Sequence, residues 1–101
     1  MSERVMRRVC IVSYDISHPR RWRRVYRTMR GFGQHLQLSV FTCDLTAAQR
    51  ITMIAALQKA IDREEDQVLL IDLGPSQAQP IHQIEALGRP LTVRDRGPVV
   101  L

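Results

Sequence analysis

One carboxylate stands out among the side chains that could do chemistry. Asp15 ends the apolar stretch 9–14, and it is the only acidic residue in the stretch 4–43. Mg²⁺ binds carboxylate oxygens, but it takes an octahedral oxygen shell and usually more than one anionic ligand. A two-fold dimer would supply the second, because a residue near the axis lies next to its own copy. Asp15 is therefore either half of a shared catalytic Mg²⁺ site, or a structural residue that pairs with Arg20 or Arg21 or caps the next helix.

A run of arginines follows Asp15 at helical spacing. At 100° per residue they fall on one face, opposite the apolar face of the same helix. No acidic residue offsets them, and like-charge i,i+4 pairs cost roughly 0.2–0.5 kcal/mol each. The guanidinium fork matches phosphate oxygens, so the pattern predicts a face that binds a nucleic-acid backbone rather than one that is only solvated. The arginines of this face are Arg20, Arg23, Arg24, Arg27 and Arg30, with Arg21 on its border.

The charge of the whole chain supports a polyanionic partner. Residues 1–43 hold nine basic and two acidic residues, a net charge of +7, whereas residues 44–101 hold six and eight, a net charge of −2. A positive charge concentrated in one part of a small protein most often indicates that the protein binds nucleic acid. The sequence has no glycine-rich phosphate loop, nucleophile elbow or His-Glu-x-x-His motif, and His18, His35 and His82 share no ligand spacing.

Length and composition restrict the class of protein. A chain of 101 residues, 45% of them apolar, has room for one domain and one core, so we expect a single domain over 1–101. No apolar run approaches the roughly 18 residues of a membrane span, and residues 1–8 do not resemble a secretory signal. We expect a cytoplasmic protein with no membrane partner. Cys10 and Cys43 fit no metal-ligand pattern and are predicted to be buried free thiols.

The elements that must position these residues follow from hydrophobic periodicity. The apolar stretch 9–15 predicts a central strand buried on both faces. Ser17 is expected to cap a helix over about 18–30 that buries Trp22, Val25, Tyr26 and Met29 and ends at the glycines 31 and 33. The stretch 36–43 is strand-like, either as one bent strand or as two short ones.

The second half repeats this order. The capping box at Thr46 and Gln49 opens a helix to about residue 62, with a core stripe of Ile51, Ile54, Leu57 and Ile61. A charged turn at 63–66 leads to a buried strand over 68–73. After a loop over 76–97, an apolar strand at 98–101 ends the chain and would add to an open sheet edge. The βαββαβ order predicts a ferredoxin-like α+β sandwich with an additional C-terminal strand.

Several motifs resemble those of a known family. They are Val-Ser-Tyr-Asp-Ile at 12–16, the basic helix, Gln-x-Ser-Val-Phe at 37–41, Cys-Asp-Leu-Thr at 43–46, the turn 62–66 with its following strand, Leu-Gly-Arg-Pro at 87–90 and the terminal Val-Val-Leu. In order and spacing they resemble CRISPR-associated Cas family two, the small partner of the CRISPR integrase. The resemblance implies a ferredoxin-like homodimer that acts in spacer acquisition.

The resemblance also implies roles for individual residues. The family's metal-site aspartate falls on Asp15, and its motif tyrosine on Tyr14, which we expect at the nucleic-acid site. Among the helix arginines associated with function, Arg24 matches the family position. The chain departs from the family pattern at Trp22, where a basic residue is common, and at His35 and Leu38.

Three functions agree with this resemblance. The first is a Mg²⁺-dependent endonuclease that acts on single-stranded RNA or double-stranded DNA, with the Asp15 pair holding the metal. The second is a non-catalytic bridge in the integrase complex that binds duplex DNA through the arginine helix, with Asp15 structural. The third is a toxin-like ribonuclease on the same scaffold.

Overall fold

The computed structural model describes residues 6–76 and 84–91. Its elements are β1 (Arg7–Asp15), α1 (Pro19–Arg30), β2 (Gly33–Gln37), β3 (Val40–Thr46), α2 (Ala47–Ala60) and β4 (Gln67–Pro75). The stretch 84–91 holds neither helix nor strand. Neither described helix is long and apolar enough to cross a membrane. The predicted strand at 98–101 lies outside the described residues, and the single domain over 1–101 stays a prediction.

The four strands form one antiparallel sheet in the order β2-β3-β1-β4. This order, with a helix in each crossover from β1 to β2 and from β3 to β4, is the ferredoxin-like arrangement, so the predicted α+β class is confirmed. The segment 34–44, which the sequence left as one strand or two, is two strands joined by a tight turn at Leu38 and Ser39. β1 lies at the centre of the sheet and carries Asp15 at its carboxyl end.

Both helices pack on the same face of the sheet. Alternate residues of β1 and β3 meet the buried faces of α1 and α2 in one cluster, because side chains alternate across a strand. Its members are Cys10, Val12, Tyr14, Val25, Tyr26, Met29, Phe41, Cys43, Leu45, Met53, Leu57 and Ala60. Cys10 and Cys43 are directly opposite each other on β1 and β3, free and buried as predicted. Their mutual hydrogen bond and burial raise the pKa of Cys43.

The opposite face of the sheet is only partly uncovered, because Val9 and Thr42 are buried there whereas side chains of β4 are not. Leu69 and Ile71 of β4 are each 49% exposed, although the sequence predicted this strand to be buried. Ile71 pairs with Ile11 of β1, which is only half-buried. On this face of β1, Val9 is buried and Ile11 and Ser13 are half-buried, so the prediction that β1 is buried on both faces holds only in part. Apolar residues on both sides of a strand predict two covered faces, but they do not say which molecule covers the second.

Three local predictions need correction. The cap of α1 is His18, whose ring accepts a hydrogen bond from the Arg20 backbone nitrogen at 3.1 Å, and not Ser17. In α2, Ile51 is 69% exposed, because the helix turns Met53 toward the sheet instead. Gly31 ends α1, but Gly33 is already the first residue of β2. The Thr46–Gln49 capping box is present as predicted.

The role of Gly33 is close packing between strands. A Cβ at this position would collide with the backbone oxygen of Thr42 and lie 2.6 Å from the Cys43 Sγ. At Gly31 the nearest atom to a Cβ would be the Thr28 oxygen, at 3.4 Å, an ordinary contact. The packing of β2 on β3 therefore leaves no room for a side chain at Gly33.

We expect Gly33→Ala to lower the free energy of unfolding by about 1–3 kcal/mol, the usual cost of overpacking. Gly31→Ala is the matched control and should change it little, since the added methyl group meets no close neighbour. Urea unfolding followed by circular dichroism measures both. Equal midpoints for the two variants would contradict the packing role of Gly33.

Candidate nucleic-acid interface and metal ligand

Asp15 lies at the carboxyl end of β1, exposed and opposite Gln67 of β4. Among residues 6–76 and 84–91, its carboxylate makes no hydrogen bond or ion pair. The predicted structural pairing with Arg21 is absent, because Arg21 binds acidic residues of another turn. Asp15 also shares the partly uncovered face with Ile11 and Ser13, since alternate residues of a strand point the same way. The carboxylate is thus unpaired on the face that a second molecule would cover.

The described residues of the chain do not by themselves build a Mg²⁺ site. No group of three or more His, Cys, Asp or Glu side chains converges within the described part of the chain. Asp15 alone supplies one anionic ligand, whereas Mg²⁺ usually binds more than one. Asp15 could therefore hold a metal only together with further ligands, such as a second Asp15, and the Mg²⁺ site stays a prediction.

The arginine face of α1 is confirmed as a feature of the surface. Arg20, Arg23, Arg24 and Arg27 are exposed, and none makes an ion pair with a described residue. Arg30 is half-buried and lies over the Tyr26 ring, with its guanidinium carbon 6.0 Å from the ring centroid. No acidic residue lies in the first turn of the helix. Four unneutralised guanidinium groups on one helix face form a surface suited to phosphate oxygens.

An aromatic cluster beneath α1 fixes the direction of this face. The rings of Trp22 and Tyr26 stack with centroids 5.4 Å apart and planes at 7°. Tyr26 meets the edge of Phe41 at 5.7 Å and the His35 ring at 5.2 Å. Such aromatic pairs add stabilisation beyond the area they bury. The helix is thereby held against β2 and β3 with its arginines outward.

Tyr14 belongs to this cluster and not to the exposed surface. Its side chain is 4% exposed and packs against Trp22 and Phe41, at centroid distances of 6.1 and 6.2 Å. Burial raises its pKa, so the hydroxyl stays protonated, and within the described residues it has no hydrogen-bond partner. Its role in nucleic-acid binding stays a prediction, and its observed position is in the core next to Asp15.

A buried carboxylate links the two turns next to Asp15. The side chain of Asp66 is 0% exposed and accepts hydrogen bonds from the Arg21 Nε at 2.8 Å, the Ser17 backbone nitrogen at 3.0 Å and the Asp62 backbone nitrogen at 2.8 Å. The Arg21 guanidinium, above all through its hydrogen bond, holds the pKa of Asp66 well below the usual range. Asp66 thereby fixes the chain between Asp15 and α1.

Sequence reasoning missed this buried ion pair. Residues 63–66 were predicted only as a charged turn, and Arg21 as the border of the arginine face or as a partner of Asp15. The pair spans 45 positions, so no local pattern connects its members. The only signal was the excess of acidic residues in this turn. It indicates that an arginine could pair there, but it does not identify which arginine.

The fold and the surface together define a class: a ferredoxin-like α+β protein with a single-signed arginine helix and an unpaired carboxylate at the end of its central strand. The model of the family CRISPR associated protein Cas2 matches residues 6–81. The CRISPR-associated endoribonuclease Cas2 1 of Rhodospirillum rubrum is 44% identical over 91 residues, covering 90% of this chain and 88% of that protein. The chain belongs to the Cas2 family, as its motifs indicated.

Two further relatives agree with this assignment. The CRISPR-associated endoribonuclease Cas2 of Geobacter sulfurreducens is 51% identical over 72 residues, covering 71% of this chain and 76% of that protein. The crystal structure of Streptococcus pyogenes Cas2 has a TM-score of 0.68 and 28% identity, covering 79% of this chain and 99% of that one.

The Asp66 ion pair predicts a pH dependence of stability. Because the folded state lowers the pKa of Asp66, its stabilisation is present above the unfolded carboxyl pKa of about 3.9 and is lost as the pH falls toward the folded pKa. Asp66→Asn should therefore destabilise the protein clearly at pH 7, and the difference from wild type should shrink below about pH 4.

Urea unfolding at pH 7, 5 and 3.5 measures this difference. Glu65→Gln is the control, because Glu65 is exposed and contacts the same Arg21 at a longer distance of 3.3 Å. This variant should stay close to wild type throughout. A pH-independent loss in Asp66→Asn, or an equal loss in the control, would argue against the ion pair as the cause.

Proposed function

We propose that this chain is a nucleic-acid-binding protein of CRISPR spacer acquisition that acts as a homodimer and cleaves phosphodiester bonds in the presence of Mg²⁺. The observation that carries the proposal is a row of four unpaired arginines that begins five residues after an unpaired carboxylate. The endoribonuclease names of the Rhodospirillum and Geobacter relatives support the cleavage step. The substrates are duplex DNA or single-stranded RNA.

The dimer is supported by the partly uncovered face of the sheet. Leu69 and Ile71 of β4 are each 49% exposed there, next to the half-buried Ile11 of β1. Burial of apolar surface is worth roughly 25 cal/mol per Å², which favours association through this face. A two-fold axis near the carboxyl end of β1 would bring both Asp15 carboxylates to the same side of the dimer. The second copy thus supplies what one protomer lacks.

The residues of the chain divide the chemistry between them. Arg20, Arg23, Arg24 and Arg27 bind phosphate oxygens and hold the backbone of the nucleic acid along α1. Asp15 and its copy would hold Mg²⁺, which when bound activates a water and neutralises charge on the phosphate. Ser17 and Arg21, fixed by Asp66, position the chain that joins Asp15 to the arginine helix.

We expect Asp15→Asn to abolish Mg²⁺-dependent cleavage while dimerisation and nucleic-acid binding persist. Asparagine keeps the shape of the side chain but removes the negative charge that holds the metal. Cleavage of single-stranded RNA and of duplex DNA is measured with Mg²⁺ and with chelator, and sedimentation reports the dimer. Glu64→Gln is the matched control, because it removes an exposed carboxylate elsewhere.

Undiminished cleavage by pure Asp15→Asn protein would remove Asp15 from the catalytic site. If wild-type protein binds duplex DNA but cleaves neither substrate, the activity is that of a non-catalytic bridge. One observation favours this second function: a single protomer provides only one anionic metal ligand among the described residues.

We expect the triple variant of Arg23, Arg24 and Arg27 to glutamine to weaken binding to all duplex sequences alike, since phosphate contacts carry no sequence information. The slope of log K against log salt should flatten by about 0.9 for each phosphate group that the variant no longer neutralises. Fluorescence anisotropy at several salt concentrations measures this slope. The control changes Arg50, Lys59 and Arg63 to glutamine, which removes the same charge from other exposed positions. Equal slopes for both triple variants would mean that α1 is only a solvated face.

A further inference from the structure

A shallow groove lies beside the first turn of α1. It is lined by Ile16, Ser17, Pro19, Trp22 and Arg23 and has a volume of about 460 Å³. This volume falls in the range of small-molecule sites, and most of the lining is apolar. The groove opens next to the arginine face, and none of its lining residues is acidic. Of its lining residues, only Arg23 belongs to the arginine face, and Asp15 is not among them.

The indole ring in this groove is held rigidly. Its Nε1 donates a hydrogen bond to the Ser39 Oγ at 3.1 Å, and Tyr26 covers one ring face with the two planes nearly parallel. The Tyr14 ring also contacts Trp22, at a centroid distance of 6.1 Å and an angle of 58°, and Trp22 is still half-buried and lines the groove. A ring fixed at its edge and on one face needs no rearrangement to stack with a planar ligand. Trp22 also stands where the sequence resemblance leads one to expect a basic residue.

The arginines next to the groove indicate which kind of ligand it could bind. Arg23 lines the groove itself, and Arg20, Arg24 and Arg27 continue the positive charge along the helix. A groove that is lined by an aromatic ring and lies beside a row of arginines suits a ligand with a planar ring that is covalently joined to phosphate. A base inside a duplex is already stacked on its neighbours and cannot enter, so the occupant must be unpaired.

We propose that this groove binds an unpaired nucleobase by stacking on Trp22, so that the protein distinguishes single-stranded or overhanging ends from blunt duplex. The inference rests on the proposed binding of nucleic acid along α1. It adds a contact to the base, whereas the arginines contact only phosphates. Because every base presents an aromatic face, the contact tolerates any sequence.

Trp22 is the only tryptophan of the chain, so its fluorescence reports the groove directly. Four DNA ligands of equal phosphate count are titrated: a single strand, a blunt duplex, a duplex with an unpaired overhang, and an abasic single strand. Anisotropy of a labelled end gives binding, and tryptophan emission gives stacking. We expect all four to bind, but only the single strand and the overhang duplex to quench Trp22. A single-stranded RNA arm shows whether RNA bases also enter the groove.

The variant Trp22→Leu tests the same contact by removing the indole ring. In Trp22→Leu, affinity for the single strand and the overhang duplex should fall about tenfold, while the blunt duplex and the abasic strand bind as before. Arg63→Gln is the control, since it removes an exposed charge on the turn after α2. A circular dichroism melt shows whether Trp22→Leu is folded. If it is not, the fluorescence titration of wild type decides alone.

The outcomes separate this inference from the function on which it rests. If all four ligands bind and none quenches Trp22, or if the abasic strand quenches equally, the groove does not take a base. An apolar side chain of a protein partner would then be the better occupant, and nucleic-acid binding would stand. If no ligand changes the anisotropy, the proposed nucleic-acid binding fails, and the groove inference fails with it.

Discussion

The burial of one carboxylate, Asp66, constrains the region on which function depends. A buried charge is costly unless it is paired and hydrogen-bonded, and Asp66 meets that cost with Arg21 and with backbone nitrogens of two separate turns. These turns are the β1–α1 connection at Ser17 and the α2–β4 connection at Asp62. The ion pair and hydrogen bonds of Asp66 thus fix the position of the end of β1, at Asp15, and of the start of α1. Removing either partner would leave the other without its charge partner, which costs more than the pair contributes.

The helix α1 carries two surfaces with opposite demands. Its outer arginines repel one another and oppose the helix dipole at the first turn, so the helix gains little from its own charges. Its inner face compensates, because Trp22, Tyr26 and Met29 pack into the aromatic and apolar cluster of the sheet. Tertiary packing stabilises the helix, so the residues of its outer face are not needed for stability and can serve binding. A phosphate backbone along this face would relieve the repulsion.

The features that the sequence predicted are those set by local periodicity and by neighbouring residues. The buried stripe of α1 and the Thr46–Gln49 capping box both follow from spacing within one or two turns, and both are present. The Arg21–Asp66 pair was missed because its members are 45 positions apart. The cap at His18 was missed because Ser17 has a stronger preference for that position but donates its hydroxyl to other partners. The N-cap propensity of a residue does not decide its role where a long-range hydrogen bond stabilises another arrangement more.

In the proposed dimer, the partly uncovered face of the sheet and the unpaired Asp15 carboxylate would have the same origin. A strand that is apolar on both sides looks the same in sequence whether the second cover comes from its own chain or from another copy. Here no described element covers Leu69 and Ile71, and on the same face Asp15 has no partner among the residues that the structure describes. An apolar surface favours association, whereas an exposed carboxylate at its end resists it through repulsion of its copy. A divalent cation between two such carboxylates would remove that repulsion. Metal binding and dimerisation would then stabilise each other.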